Sequence, residues 1–266
     1  MAQKIQIDGT EHEIIEGKVL VDGTEYTITH GRTCVDENGY EIPLGIKIST
    51  LPIGHIVKGY VDNKETEFII LHHGNPDTNV YDSSCDGTWL MMKDVYEEMA
   101  WYSTFDSYTD LDYGTSDVHA YLNSTFFDRL DHNIQQAVKP VIIPYQQSQN
   151  ESFAIASGSN GLPTNVFLLG RYELYPEGNW TGFKQDGHTL DYFADTKPSS
   201  DPKRVAYYNG AEVRWWMRSQ EIDNPRPWAV LEKGGHSNPQ PSQVYGVRPT
   251  FIVYGDTRVR IDNVIM

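Results

Sequence analysis

The chain has 266 residues, 39% hydrophobic and 22% charged, enough for one large domain or a small domain joined to a medium one. Its 21 Lys and Arg stand against 37 Asp and Glu, a net charge of −16. That balance argues against nucleic acid and anionic membrane surfaces, whose recognition rests on basic side chains, and no apolar run reaches the ~18 residues a membrane span requires.

Residues 1–8 hold no apolar stretch of signal-peptide type, so the expectation is a protein made in the cytoplasm without a signal peptide. The first 45 residues repeat with a period of 14. Ile7, Val21 and Val35 share a column, as do Asp8, Asp22 and Asp36, and Ile14, Ile28 and Ile42. His12, Tyr26 and Tyr40 form another column, and Gly17, Gly31 and Gly45 a fifth. Asp8-Gly9 and Asp22-Gly23 are preferred type I′ pairs between short alternating runs, so each unit predicts a tight β-hairpin. We therefore divide the chain into a β-hairpin repeat segment, 1–47, for attachment or oligomerisation, and a recognition domain, 48–266.

His55–Val61 and Glu67–Leu71 read as paired strands joined by a polar turn. Asp94-Val95-Tyr96-Glu97 has the form of a capping box and predicts a short helix. Apolar residues at helical spacing from Val118 to Val138 predict one helix over 116–138, ended by Pro140. Short strands follow at Val141–Ile143, Val166–Leu169, Val213–Arg218, Trp228–Leu231 and Thr250–Tyr254. Long polar loops separate them, the segments that commonly carry function.

The reactive groups form no recognised catalytic pattern. His72 and His73 fall on opposite faces of a strand and predict a satisfied pair. Asp110-Leu111-Asp112-Tyr113-Gly114 opens like a calcium loop but lacks its sixth-position glycine and its bidentate glutamate, and reads as a solvated acidic turn. Ser157-Gly158-Ser159 misses the nucleophile elbow. Cys34 and Cys85 are too few and too distant for a disulfide framework or a zinc site and read as free thiols. The expectation is a binding or structural protein without enzymatic activity, with a glycan hydrolase as a remote alternative.

Several motifs in fixed order carry a resemblance. They are His72-His73-Gly74-Asn75-Pro76, Tyr81 to Leu90, Tyr121-Leu122-Asn123, Ile143-Pro144-Tyr145 and Phe167-Leu168-Leu169-Gly170, followed by Trp215-Trp216-Met217-Arg218-Ser219, Trp228-Ala229-Val230 and Tyr245 to Phe251. Together, over roughly 48–256, they resemble an uncharacterised family related to C-type lectins and common in bacteriophages and prophages of gut Firmicutes. The Asp-Gly-Thr repeats resemble those at the start of phage virion proteins. The resemblance implies an α+β, C-type-lectin-like fold: two helices, small antiparallel sheets and a loop-rich binding face. It also implies location in a virion, other virion proteins as partners and a bacterial surface glycan or protein as ligand; avidity from several weak sites makes a homotrimer the expected assembly. Gln220 stands where the family usually has proline, and the calcium triplets of sugar-binding lectins are absent. No cofactor follows, although loop carbonyls leave room for a structural calcium.

Trp215, Trp216, Arg218, Arg248 and Pro249 are expected to be architectural, the arginines tying loops by paired hydrogen bonds. The polar stretch from Gln220 to Gln243 is the expected ligand face, with Asn224, Arg226, Glu232, His236, Asn238, Gln240 and Gln243 as binding residues. The resemblance supports a tail or baseplate receptor-binding protein. The alternative is an architectural virion protein, a capsid decoration or fibre-connecting subunit without a specific ligand.

Overall fold

The structure, a computed structural model, describes the backbone of the strands within 3–43, together with residues 45–107, 111–147, 154–176, 185–197, 199–221, 226–260 and 262–266. The repeat unit becomes a strand pair. Strands β1 (Gln3–Ile7), β2 (Thr10–Ile15), β3 (Lys18–Val21), β4 (Thr24–Thr29), β5 (Thr33–Val35) and β6 (Glu41–Pro43) pair in sequence order as one antiparallel sheet. Ile7 pairs with Thr10 and Val21 with Thr24, the register of two-residue hairpins. The Asp8-Gly9 and Asp22-Gly23 pairs themselves lie outside the described residues.

The remainder is α+β, mostly sheet with short helices. After β7 (Ile46–Lys47), β8 (Ile56–Val61) and β9 (Lys64–His73) form a hairpin, and β10 (Thr88–Met92) and β11 (Glu97–Ala100) follow. Helix α1 (Asp117–Tyr121) runs through a π turn into α2 (Phe127–Arg129), and α3 (His132–Ala137) comes next. Then come β12 (Val141–Ile143), β13 (Tyr145–Gln146), β14 (Ile155–Ala156), β15 (Leu162–Thr164), β16 (Val166–Phe167) and helix α4 (Arg171–Leu174). The C-terminal strands are β17 (Ala206–Tyr208), β18 (Ala211–Val213), β19 (Trp215–Gln220), β20 (Pro227–Val230), β21 (His236–Ser237), β22 (Val244–Val247), β23 (Thr250–Val253) and β24 (Arg258–Val259).

Two five-stranded sheets dominate, in the orders β16-β23-β10-β9-β8 and β11-β22-β19-β20-β21. Every pairing is antiparallel except β19 with β22. Strands β10, β19, β20 and β23 are buried along their whole lengths, so both faces of these sheets are covered. Strand β7 pairs with β24, which brings together the two ends of the region that follows the repeats.

Two helix expectations need correction. Asp94 caps no helix: its Oδ1 accepts the Tyr207 amide at 3.1 Å, and Glu97 opens strand β11, paired with β22. The segment 116–138 is not one helix either. Leu130 is extended (ψ 142°) and bridges to Val61, while Asp131 Oδ1 caps a new helix at Ile134 N, 2.9 Å away. A buried extended leucine followed by a capping aspartate outweighs helical periodicity. His73 is satisfied, its ring bonding Leu51 O and Thr88 Oγ1, whereas His72 Nδ1 lies 2.9 Å from Asp191 Oδ2 without making a hydrogen bond. Asp112 is buried and caps the following turn through Gly114 N at 2.7 Å, so it is not a solvated acidic loop; Asp110 lies outside the described residues. Cys85 is buried, its Sγ donates to the Ile142 carbonyl, and burial pushes its thiol up to about 12.

Strand and helix are joined by a buried ion pair. Arg218 on β19 and Glu173 on α4 both have fully buried side chains. The five N–H groups of Arg218 all find acceptors. Nε donates to the Pro144 carbonyl at 3.0 Å, and Nη1 to Leu168 O and Glu173 Oε2 at 3.0 and 2.6 Å. Nη2 donates to Glu173 Oε1 and Asp186 O, both at 2.7 Å. Glu173 in turn accepts the Tyr81 hydroxyl and the Gly170 amide, each at 2.7 Å. Arg248 does similar work, donating to Met92 O and Lys93 O while lying over Trp215. Breaking a buried pair from one side leaves an uncompensated charge, so Arg218→Met should lower urea-unfolding stability by about 3–5 kcal/mol. The double variant Arg218→Met/Glu173→Leu should lose less than the sum of the single variants.

Candidate functional site

A groove of about 570 Å³ opens between two hairpin tips. One wall is the β8–β9 turn, with Asp62 and Asn63 at φ 50° and 60°; the other is the β17–β18 turn, with Asn209 and Gly210 at φ 49° and 82°. Both pairs carry two successive left-handed residues, the type I′ geometry that Asp, Asn and Gly adopt most readily. The start of β11 and the end of α2 supply the floor through Asp94, Tyr96, Glu97 and Arg129.

The floor is held by one cation. Arg129 Nη1 donates to the hydroxyls of Tyr96 and Tyr121 at 3.0 and 3.2 Å. Tyr96 donates onward to Asp62 Oδ2 at 2.6 Å, and Tyr121 to Glu97 Oε2. The guanidinium also lies 3.9 Å from Asp62 Oδ1 and 3.7 Å from Glu97 Oε2. Burial, and then the hydrogen bond to Asp62, raise the Tyr96 phenol above its ordinary value; burial and Glu97 do the same for Tyr121. Both tyrosines therefore stay neutral donors. Among the described residues, Glu97 Oε1 and Asp94 Oδ2 have no hydrogen-bond donor, and both residues line the groove. Tyr207 lines the wall and is 45% exposed, an aromatic surface open to a ligand. Fixed acceptors beside an exposed ring suit binding of a polyhydroxylated or cationic molecule.

None of the residues expected to form the ligand face lines this groove. Arg226, Glu232, His236 and Asn238 lie about β20 and β21, at the opposite edge of the second sheet from β11, while Gln240 and Gln243 lie in the turn before β22, the strand that pairs with β11. Glu232 pairs with Arg214 Nε at 2.7 Å, Asn238 donates to Glu221, and Gln243 accepts the Tyr245 hydroxyl at 3.2 Å. Arg226 and Gln240 also have partners, and Asn224 lies outside the described residues. His236 sits between the rings of Tyr175 and Trp228, with centroids 5.1 and 5.4 Å away. The groove residues come from four separated segments, so no single motif marks them. The usable signal was the pair of turn sequences, Asp62-Asn63 and Asn209-Gly210, the second preceded by Tyr207-Tyr208.

Comparison with known proteins places the domain but not its activity. A family model described as a domain of unknown function (DUF6273) matches residues 86–255, well over half of the chain. The chain belongs to that family. The DUF6273 match begins after β8 and β9, although β9 lies inside the first five-stranded sheet, so the folded unit extends upstream of the matched segment. The Arg218–Glu173 clamp, Arg129, Glu97 and Tyr207 fall within the DUF6273 match, whereas Asp62 precedes it. No curated protein and no solved structure matches the chain. Among the described residues no group of His, Cys, Asp and Glu is placed to hold a metal ion, and no helix is long and apolar enough to cross a membrane.

Burial, and then the charges of Arg171 and Arg204, lower the His236 imidazole from 6.5 to about 4. Burial also lowers His72 and His119. A group depressed on folding stabilises the native state above its unfolded pKa, and that contribution is lost as pH falls through the folded one. The urea midpoint should therefore hold near neutrality and fall between pH 6.5 and about 4. The variant His236→Gln should show a shallower fall over the same range.

Proposed function

We propose that the chain is a bacteriophage virion protein, a tail or baseplate adhesin that grips a bacterial surface molecule and has no enzymatic activity. In this reading the region after residue 47 is a C-type-lectin-like domain, and the β-repeat segment, 1–47, attaches it to the virion and assembles it as a homotrimer. Placement in a virion rests on the sequence resemblance; the recognition role rests on the groove. The observation that carries it is the exposed Tyr207 ring beside carboxylates whose positions Arg129, Tyr96 and Tyr121 fix. A preorganised polar and aromatic surface lowers the ordering cost of binding. Three copies on one stalk turn a modest single-site affinity into firm attachment. The ordered, two-sided core of the sheets supports a rigid platform beneath the groove.

Fluorescently labelled full-length protein should bind some strains in a panel of gut Firmicutes and not others. Tyr207→Ala should weaken that binding severalfold, and Arg226→Ala/Asn238→Ala measures what the expected face contributes. No binding to any strain by folded protein would move the reading to an architectural virion role. Release of reducing ends from purified cell-wall glycan would overturn the non-enzymatic reading.

A further inference from the structure

We infer that the groove between the two hairpin tips binds a saccharide carrying a free ammonium group, an inference that rests on the recognition role proposed above. Four carboxylates line it, Asp62, Glu65, Asp94 and Glu97, against the cations Lys64 and Arg129. Arg129 is shared between Asp62 and Glu97, and its Nη1 is engaged with two phenols. Glu65 is taken by Lys58 at 2.8 Å. The lining thus carries four carboxylates against two cations, with Lys93 and Arg248 acting on Asp94 from outside it, on a chain whose net charge is already −16; that balance disfavours phosphate-rich and carboxylated glycans.

A neutral sugar would gain only hydrogen bonds here. An ammonium on a sugar ring gains those and the field as well, donating to the open oxygens of Asp94 and Glu97 while the ring's C–H face lies on Tyr207. A lysine side chain offers the same charge, but it must freeze a flexible four-carbon stem that carries about 2 kcal/mol of rotamer entropy. A ring-borne amine is already fixed. The groove's 570 Å³ falls within the range of about 300–1,000 Å³ typical of small-ligand sites. Its acceptors come from the β8–β9 tip and from the stretch leading into β11, two parts of the chain brought together at one groove.

The test is calorimetric titration of the full chain with a glucosamine tetramer, its fully N-acetylated counterpart and a lysine tetrapeptide. The amine-bearing sugar should bind about tenfold or more tightly than the acetylated one, and its affinity should fall as salt is raised. Asp62→Asn/Glu97→Gln keeps the left-handed turn and both tyrosine acceptors while removing two charges. That variant should unfold at the wild-type temperature and lose about tenfold in affinity for the glucosamine tetramer. Equal or tighter binding of the acetylated tetramer would overturn the inference. So would equal binding of the lysine peptide, or an affinity that the double variant leaves unchanged. Strain-selective cell binding without glucosamine binding would remove this ligand class and leave the adhesin reading standing; loss of both would remove the two together.

Discussion

The guanidinium of Arg218 sits at the junction of four parts of the chain, and the arrangement around it depends on every one of its donors being used. Two bonds go to Glu173 on α4 and three to the carbonyls of Pro144, Leu168 and Asp186. Burying two charges costs several kcal/mol per ion before any gain. The cost is offset only because the carboxylate is also saturated, by Tyr81 and Gly170. A pair with so many obligatory partners admits one geometry. The loop before β13, the segment after β16, helix α4 and strand β19 are consequently fixed relative to one another.

Two further arginines extend the same device. Arg204 donates to the carbonyls of Gly234, Leu174 and Lys197 and to Thr196 Oγ1, with its guanidinium 4.0 Å from the Tyr175 ring centroid. Arg248 serves Met92 and Lys93. Buried carbonyls in irregular segments have no ladder partner, yet each needs a donor. In a region where helices are short and strands are often two to four residues long, planar five-donor side chains supply what regular structure does not. Aromatic rings beneath them, Tyr175 and Trp215, keep the charge away from water without leaving it on an aliphatic surface.

This explains how legible the sequence was. The hairpin repeat could be read because a 14-residue period with Asp-Gly turns is a local signal. The strands Val141–Ile143 and Thr250–Val253 could be read because apolar runs were bounded by turn residues. The architectural role of Trp215, Trp216, Arg218 and Arg248 could be stated, although the identity of Glu173 as partner could not: 45 residues separate it from Arg218. The capping-box reading at Asp94 failed because the amide that its carboxylate accepts belongs to Tyr207, 113 residues away. Helical spacing across Leu130 misled because the competing partner, Val61, is likewise remote. The groove was hidden for the same reason, since its floor and walls come from separate segments and no spacing rule joins them.

The walls of the groove are turn residues at hairpin tips, while its floor is tied to the core through Arg129. Asn63, Asn209 and Gly210 in the turns, and Lys64 and Glu65 at the start of β9, are exposed and contribute nothing to the hydrophobic core, so their side chains can change without disturbing it. Two chains could therefore share every arginine clamp and every core tryptophan and still select different ligands. Overall sequence identity between such chains would report a common scaffold and say almost nothing about what each one captures.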